Sequence, residues 1–296
     1  MARKGGIRLT RADRAFHAFV DASLLAILAV LVVPIWSTVT LSFRPNDFIG
    51  SALDGMLLAP WRWSTAAYQA LLGHRAFLDS AFNSFRIFFQ GVATALFLTV
   101  PLAYMLSIKT LPGRKLLYGL VLVPYLFNVG LVPNYLLVTK LGLVNSLAAV
   151  YLPGAISVYN TLIMKSFFEG IPEELKESAR IDGASELTVL LRIILPLSKP
   201  ILLTIGLYYG VHFWNDFFNA MLYINDNKLQ PLPILLRNIL LSSGMNEYVE
   251  VNAFGEAPIA AIKAASVFLA AIPMLAAYPF IQKYFVKGTM LGSVKG

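Results

Sequence analysis

The chain has 296 residues, of which 57% are apolar and only 14% charged. Soluble domains run at about 45–50% apolar and about 25% charged, so an ordinary soluble enzyme and a disordered chain are both excluded. The absence of cysteine rules out disulfides and Cys-ligated metal centres, and His17, His74 and His212 are too scattered for a metal cluster. The net charge of +8 does not point to nucleic acid, because a basic excess on a membrane chain usually carries orientation signals.

Crossing a bilayer core of about 30 Å takes about 20 helical residues. Five runs, 22–43, 87–108, 116–139, 143–164 and 264–282, meet that length without Asp, Glu, Lys or Arg. A sixth, 201–224, is interrupted only by His212 and Asp216. The expectation is an all-α, multi-pass membrane protein with six transmembrane helices. The first run follows a basic tail, but it is too long for the apolar region of a signal peptide and lacks a small-x-small cleavage site, so it reads as a retained span. Of the 24 Lys and Arg, 16 fall in segments 1–21, 109–115, 165–200 and 283–296, which predicts that both termini are cytoplasmic.

The expected order is a basic tail 1–21, a first span 22–43 and an outer-face loop 44–86. A core 87–285 with five spans and a tail 286–296 follow. That core includes a cytoplasmic loop 165–200 and an outer-face loop 225–263. Trp61 and Trp63 in the first outer loop suit a membrane interface. Glu247, Glu250 and Glu256 in the second offer charge for docking an external protein. Either loop also reads as a solvated connector.

Loop 165–200 does not read as a connector. Pro172 followed by Glu173 and Glu174 is a helix start, with acid favourably placed at the positive end of the dipole. The helix runs through Leu175, Ala179 and Arg180 to a flexible break at Gly183. A second helix has Leu187, Leu190, Leu191 and Ile194 at i, i+3, i+4 and i+7, and Pro196 ends or bends it. Glu174, Lys176, Glu177, Arg180, Asp182 and Glu186 are expected to cover the exposed side of this knob.

Glu177-Ser178-Ala179, then Gly183 after three residues, then Ile193-Ile194-Leu195-Pro196 after nine, resembles the EAA loop of bacterial ABC importer permeases. The one departure is Ser178 where the pattern has alanine. Ile171-Pro172-Glu173-Glu174-Leu175, Ile181-Asp182-Gly183-Ala184, Leu195-Pro196-Leu197-Ser198-Lys199-Pro200 and Gly130-Leu131-Val132-Pro133 resemble the carbohydrate-uptake branch. Within it the likeness is to permeases of complex-oligosaccharide importers, alginate importers among them. The resemblance implies a type I importer permease fold in the bacterial inner membrane. It also implies that Glu174, Glu177, Ala179, Asp182, Gly183, Ile193, Leu195 and Pro196 couple the chain to an ATPase. The implied partners are two ATPase subunits carrying ATP and Mg, a second and different permease, an external solute-binding protein, membrane lipid and an oligosaccharide substrate. The chain has no Gly-Lys pair and hence no Walker pattern, so it is expected to be a non-catalytic subunit without a cofactor or metal of its own.

Run 201–224 is fifth in chain order. At about 100° per residue, Tyr208, His212, Asn215, Asp216, Asn219 and Tyr223 fall on one face of a continuous helix, with Trp214 adjacent. An aspartate at a span's centre costs about 2.5–3.5 kcal/mol, so this stripe faces protein or a water-filled cavity. It reads either as a sugar pathway or as a polar seam with a partner permease. Gly206 and Gly210 on the opposite side suit close helix packing. Pro124, Gly130 and Pro133 interrupt the third run, making Tyr125, Asn128 and Tyr135 secondary pathway candidates, with kinking for packing as the alternative. A stand-alone proton-coupled transporter using His212 and Asp216 is the competing function. A membrane-embedded enzyme lacks any nucleophile–base pair in the spans.

Overall fold

The computed structural model describes residues 11–48, 54, 55, 57, 59–127, 129–241 and 257–292, and every regular element among them is helical. The chain divides into two units, residues 1–73 with 249–269, and residues 74–248 with 270–296.

In the first unit, α1 (Arg11–Ser42) is followed by a 3-10 turn at Pro60–Arg62 and α2 (Ala66–Gly73). The returning chain is fastened to the end of α1 by aromatic and hydroxyl groups. Trp63 stacks on Phe43 with centroids 4.7 Å apart, and Ser42 shares a 2.6 Å hydrogen bond with Tyr68. Trp61, by contrast, is 86% exposed.

The second unit is organised around the long α3 (Arg75–Ser107). Then follow α4 (Arg114–Leu126), α5 (Leu131–Lys140), the single turn α6 (Ala148–Tyr151) and α7 (Val158–Glu169). Helix α8 (Glu173–Ile181) leads to α9 (Glu186–Leu197), whose middle turn Leu190–Ile194 is π-helical. Helices α10 (Lys199–Trp214), α11 (Phe217–Tyr223) and α12 (Leu232–Leu241) complete this part, and α13 (Ile259–Gly292) ends the described chain. Ile87, Ala95 and Ala103 of α3, Met164 and Phe168 of α7, and Ile205, Tyr209 and Phe213 of α10 share one buried core.

Close approach of α3 and α10 rests on glycine, as the Gly206–Gly210 spacing predicts. A Cβ on Gly210 would stand 2.5 Å from Phe88 Cε2, and one on Gly91 would stand 2.6 Å from Phe213 Cδ2 and 3.0 Å from Tyr151 Cβ. Each helix thus seats a phenylalanine ring in a notch of the other. Further along α3, Thr99 and Tyr209 share a 2.7 Å hydrogen bond, and the Ser157 N–H donates to the same Tyr209 oxygen at 2.8 Å.

The expected spans are corrected in three places. Three described helices are individually long and apolar enough to cross a bilayer, and two bent pairs would raise this to five. Run 143–164 is not one helix: α6 and α7 are separated by the Pro153–Gly154 segment, and Ser157 caps the restart by accepting the Asn160 N–H. Run 116–139 is divided between α4 and α5, with Gly130 at φ +83° before α5. Run 201–224 breaks after Trp214, and α10 is itself bent 85° from α9 at Ser198.

Gly91→Leu is expected to overpack this contact and cost about 1–3 kcal/mol. The detergent-solubilised protein should unfold at a lower temperature, whereas Gly119→Leu, at a position with open space around it, should leave the transition unmoved.

Candidate functional site

Two places combine exposure with built chemistry, a knob made by α8 and α9 and a cavity at the breaks in the apolar runs. In the knob, Pro172 precedes α8, and Glu173 and Glu174 occupy its first turn as the sequence predicts. The helix ends in a two-bond cap, with the Gly183 N–H donating to Arg180 O at 3.0 Å and the Ala184 N–H to Ala179 O at 2.9 Å. That cap needs a left-handed residue, and Gly183 supplies φ +82°. The expected flexible break is therefore a fixed corner. Ser185 then caps α9 by accepting the Thr188 N–H.

Arg180 braces this corner. Its Nε donates to Glu186 Oε1 at 2.8 Å and its Nη1 to Glu173 Oε1 at 3.0 Å, so one guanidinium joins the starts of both helices. Glu173 also accepts from Lys176 Nζ at 2.9 Å, and Glu186 from the Tyr104 hydroxyl. The Arg180 hydrogen bond holds the Glu186 carboxyl below its ordinary pKa, and the Lys176 hydrogen bond, then Arg180, does the same for Glu173.

The charge expected across the exposed side is thus sorted. Lys176 is buried, and Arg180 and Glu186 are consumed by the brace. Glu174, Glu177 and Asp182 remain exposed, with no ion pair among the described residues. Beside them Leu175, Leu187 and Leu191 are exposed, and Ile181 at the corner is 86% exposed. The predicted stripe splits, because Leu190 and Ile194 enter the core while Leu187 and Leu191 face out. Ala179, Ile193 and Leu195 pack against the core, and Pro196 is exposed.

The cavity, of about 330 Å³, is lined by Gly130, Leu131 and Asn134, by Pro153 and Gly154, and by Phe218, Asn219 and Tyr223. Its walls come from the breaks in three apolar runs, where irregular backbone is tolerated at membrane depth. Of the predicted pathway residues, Asn219 and Tyr223 line it directly. Tyr135 stacks on Tyr223 at 6.0 Å, and His212 lies against Gly154.

The remaining stripe is not a single helical face. Asn215 donates from Nδ2 to Val211 O at 2.8 Å and closes the end of α10, while Asp216 accepts the Asn219 N–H at 3.0 Å and caps α11. Asp216 also accepts from Asn219 Nδ2 at 2.7 Å. Trp214 packs away from the cavity, 4% exposed, donating its indole N–H to Ala270 O and meeting Phe85 edge-on. Tyr208 and Tyr125 are exposed outside the cavity lining, and Asn128, Glu247, Glu250 and Glu256 lie outside the described residues.

Sequence reading missed Asn134, Gly154 and Phe218, which periodicity gave no reason to single out. It also missed Asn145, which at φ +60° accepts the N–H groups of Asn225 and Asp226 and pins the segment that follows α11. The signal for the cap was present, since Asp216 stands three residues before Asn219 at a helix start.

Residues 64–290 match the family described as the binding-protein-dependent transport system inner membrane component. The chain belongs to that family. It is 40% identical over 290 residues to Protein LplC of Bacillus subtilis, with 97% of each chain covered. To the polygalacturonan/rhamnogalacturonan transport system permease protein YtcP of Bacillus subtilis it is 39% identical, covering 96% of this chain and 99% of that one. In structure it matches a chain from a bacterial ABC transporter involved in importing the acidic polysaccharide alginate, with TM-score 0.84, 29% identity and coverage of 95% and 100%. The fold is thus the all-helical fold of type I ABC importer permeases, and the EAA-loop resemblance falls within the matched region.

Because both brace carboxyls titrate below their ordinary value, their stabilisation is complete above the unfolded glutamate pKa of about 4.3 and is lost as pH falls through the lowered folded values. Spin labels at Ser178 and Leu187 should therefore report one distance distribution from pH 8 to about pH 5, broadening only below about pH 4. At Gly183 no atom lies within 4 Å of an added Cβ, so strain alone decides. Gly183→Asn should keep that distribution, whereas Gly183→Val should broaden it at neutral pH.

Proposed function

We propose that this chain is a permease subunit of an ATP-binding-cassette importer, moving an oligosaccharide across the bacterial inner membrane by alternating access. The observation that carries this reading is continuity. The knob's α9 turns 85° at Ser198 into α10, and α10 ends at the polar break that opens onto the cavity. Force applied to the exposed acidic and apolar tip thus has a direct backbone route to the cavity wall.

In this reading Glu174, Glu177 and Asp182, with Ile181 between them, seat in a cleft on an ATPase subunit. Two such subunits supply hydrolysis of Mg-bound ATP, and this chain contributes no catalytic residue, metal or cofactor. Ala179, Gly183, Ile193, Leu195 and Pro196 set the knob's shape. A second, different permease completes the pathway. An external binding protein docks at the outer face, with 225–263 the favoured segment. The chain crosses the membrane six times with both termini cytoplasmic, a topology supported by the Lys and Arg asymmetry.

An oligosaccharide suits the cavity because Asn134, Asn219 and Tyr223 offer amide and hydroxyl partners while Phe218 and Pro153 offer apolar surface. The polygalacturonan/rhamnogalacturonan and alginate assignments of its relatives support the same class. A proton-coupled carrier built on His212 and Asp216 finds less support, since the Asp216 carboxylate is engaged in capping α11.

Vesicles containing the assembled transporter should take up oligosaccharide only with ATP, stop with vanadate and ignore a proton uncoupler. Glu177→Lys with Asp182→Lys should lower uptake at least about tenfold through lost ATPase association, the scale of about 1.4 kcal/mol. Uptake that survives the double substitution would sink the docking assignment. In this chain without native cysteine, Asn219→Cys should react with small hydrophilic thiol reagents, and trapping ATP on the partner should change its rate.

A further inference from the structure

The brace inside the knob has a second anchor, outside it. Tyr104 lies near the end of α3, 4% exposed, with its ring edge-on to Phe168 at 6.4 Å. Its hydroxyl donates to Glu186 Oε2 at 2.5 Å, while Arg180 holds the other oxygen of the same carboxylate. Glu186 is therefore shared between two jobs. Through Arg180 it closes the knob on itself, and through Tyr104 it ties the knob to the helix at the centre of the second unit.

We propose that Tyr104 is a positioning residue for transport, the directional tie through which displacement of the coupling knob reaches α3. The inference rests on the ATP-driven importer reading. The knob's other links to the body are its backbone, apolar packing through Val189, Leu190 and Ile194 with Ala179, Ala184, Ile193 and Leu195 beside them, and the 3.4 Å hydrogen bond from Lys176 Nζ to Phe168 O on α7. Apolar contacts resist separation but permit sliding, whereas a short hydrogen bond to a carboxylate fixes direction as well as distance. Helix α3 in turn carries Thr99, whose hydroxyl meets Tyr209, and Tyr209 accepts the N–H of Ser157. Ser157 caps α7 immediately past the Pro153–Gly154 wall of the cavity. Tyr104 stands at the knob end of that sequence, and among the described residues no other side-chain hydrogen bond joins α3 to α8 or α9.

Tyr104→Phe separates the two jobs, because it removes the tie and keeps the packed ring, the Arg180 brace and the exposed tip. In proteoliposomes holding the full transporter, the substituted complex should retain its ATPase subunits and basal hydrolysis. Oligosaccharide uptake should fall roughly tenfold, so the ATP hydrolysed per sugar imported rises by the same factor, equivalent to about 1.4 kcal/mol. In a Glu186→Ala background, Tyr104→Phe should add no further loss, since the hydroxyl then has no carboxylate to hold. An unchanged ratio of ATP to sugar overturns the proposal. So does loss of the ATPase subunits, which would make Tyr104 a mere support of the docking surface, and so does a fully additive double substitution. Failure of the unsubstituted complex to couple hydrolysis to uptake would instead remove the importer reading itself.

Discussion

The second unit depends on how closely α3 and α10 approach. Gly91 and Gly210 remove the Cβ atoms that would otherwise hold the backbones apart, and Phe213 and Phe88 fill the notches so made. In a membrane, where lipid is as apolar as leucine, such packing replaces the hydrophobic drive that holds soluble helices together. The contact also brings Tyr209 within reach of both Thr99 and Ser157, so a buried polar junction forms where three helices meet. Without the glycines there is no junction. Without the junction, the broken run through Pro153 and Gly154 has no fixed place beside α10.

Much of this was legible in the residues. The charge-free runs, the helix start at Pro172, the Gly206–Gly210 spacing and the motif from Glu177 to Pro196 all point the right way because each is local. What periodicity could not reveal was where helices stop. The polar stripe presumed an unbroken helix across Asn215 and Asp216, yet those two residues satisfy the backbone groups exposed by a break. Short polar side chains compete with helical hydrogen bonds wherever they can reach the backbone. A stripe and a pair of caps use the same residues, and only the backbone distinguishes them. Lys176 misled for a related reason. Composition marks it as surface, but Glu173 and the Phe168 carbonyl at the end of α7 compensate its burial.

Breaks and cavity belong together. A continuous apolar helix offers a membrane-depth pathway nothing but side chains, while an interrupted one offers width and unpaired backbone. Here the interruptions at Gly130 and Pro153–Gly154, and helix α11 that restarts after Asn215–Asp216, belong to three separate runs, and the fold gathers them around one space. Asn145 steadies the chain that leaves α11 by holding Asn225 and Asp226 from a left-handed position that few residues other than glycine adopt.

The corner at Gly183 has a thermodynamic consequence for any protein that seats on the knob. Its geometry is specified within about fifteen consecutive residues, by one left-handed glycine, one serine cap and one guanidinium fork. A tip that is already ordered loses little conformational freedom on association, so more of the contact free energy remains as affinity. Preorganisation of this kind also limits how far the tip yields under load. A stroke delivered to Ile181 is passed on as translation or rotation of the whole corner instead of being absorbed by bending it.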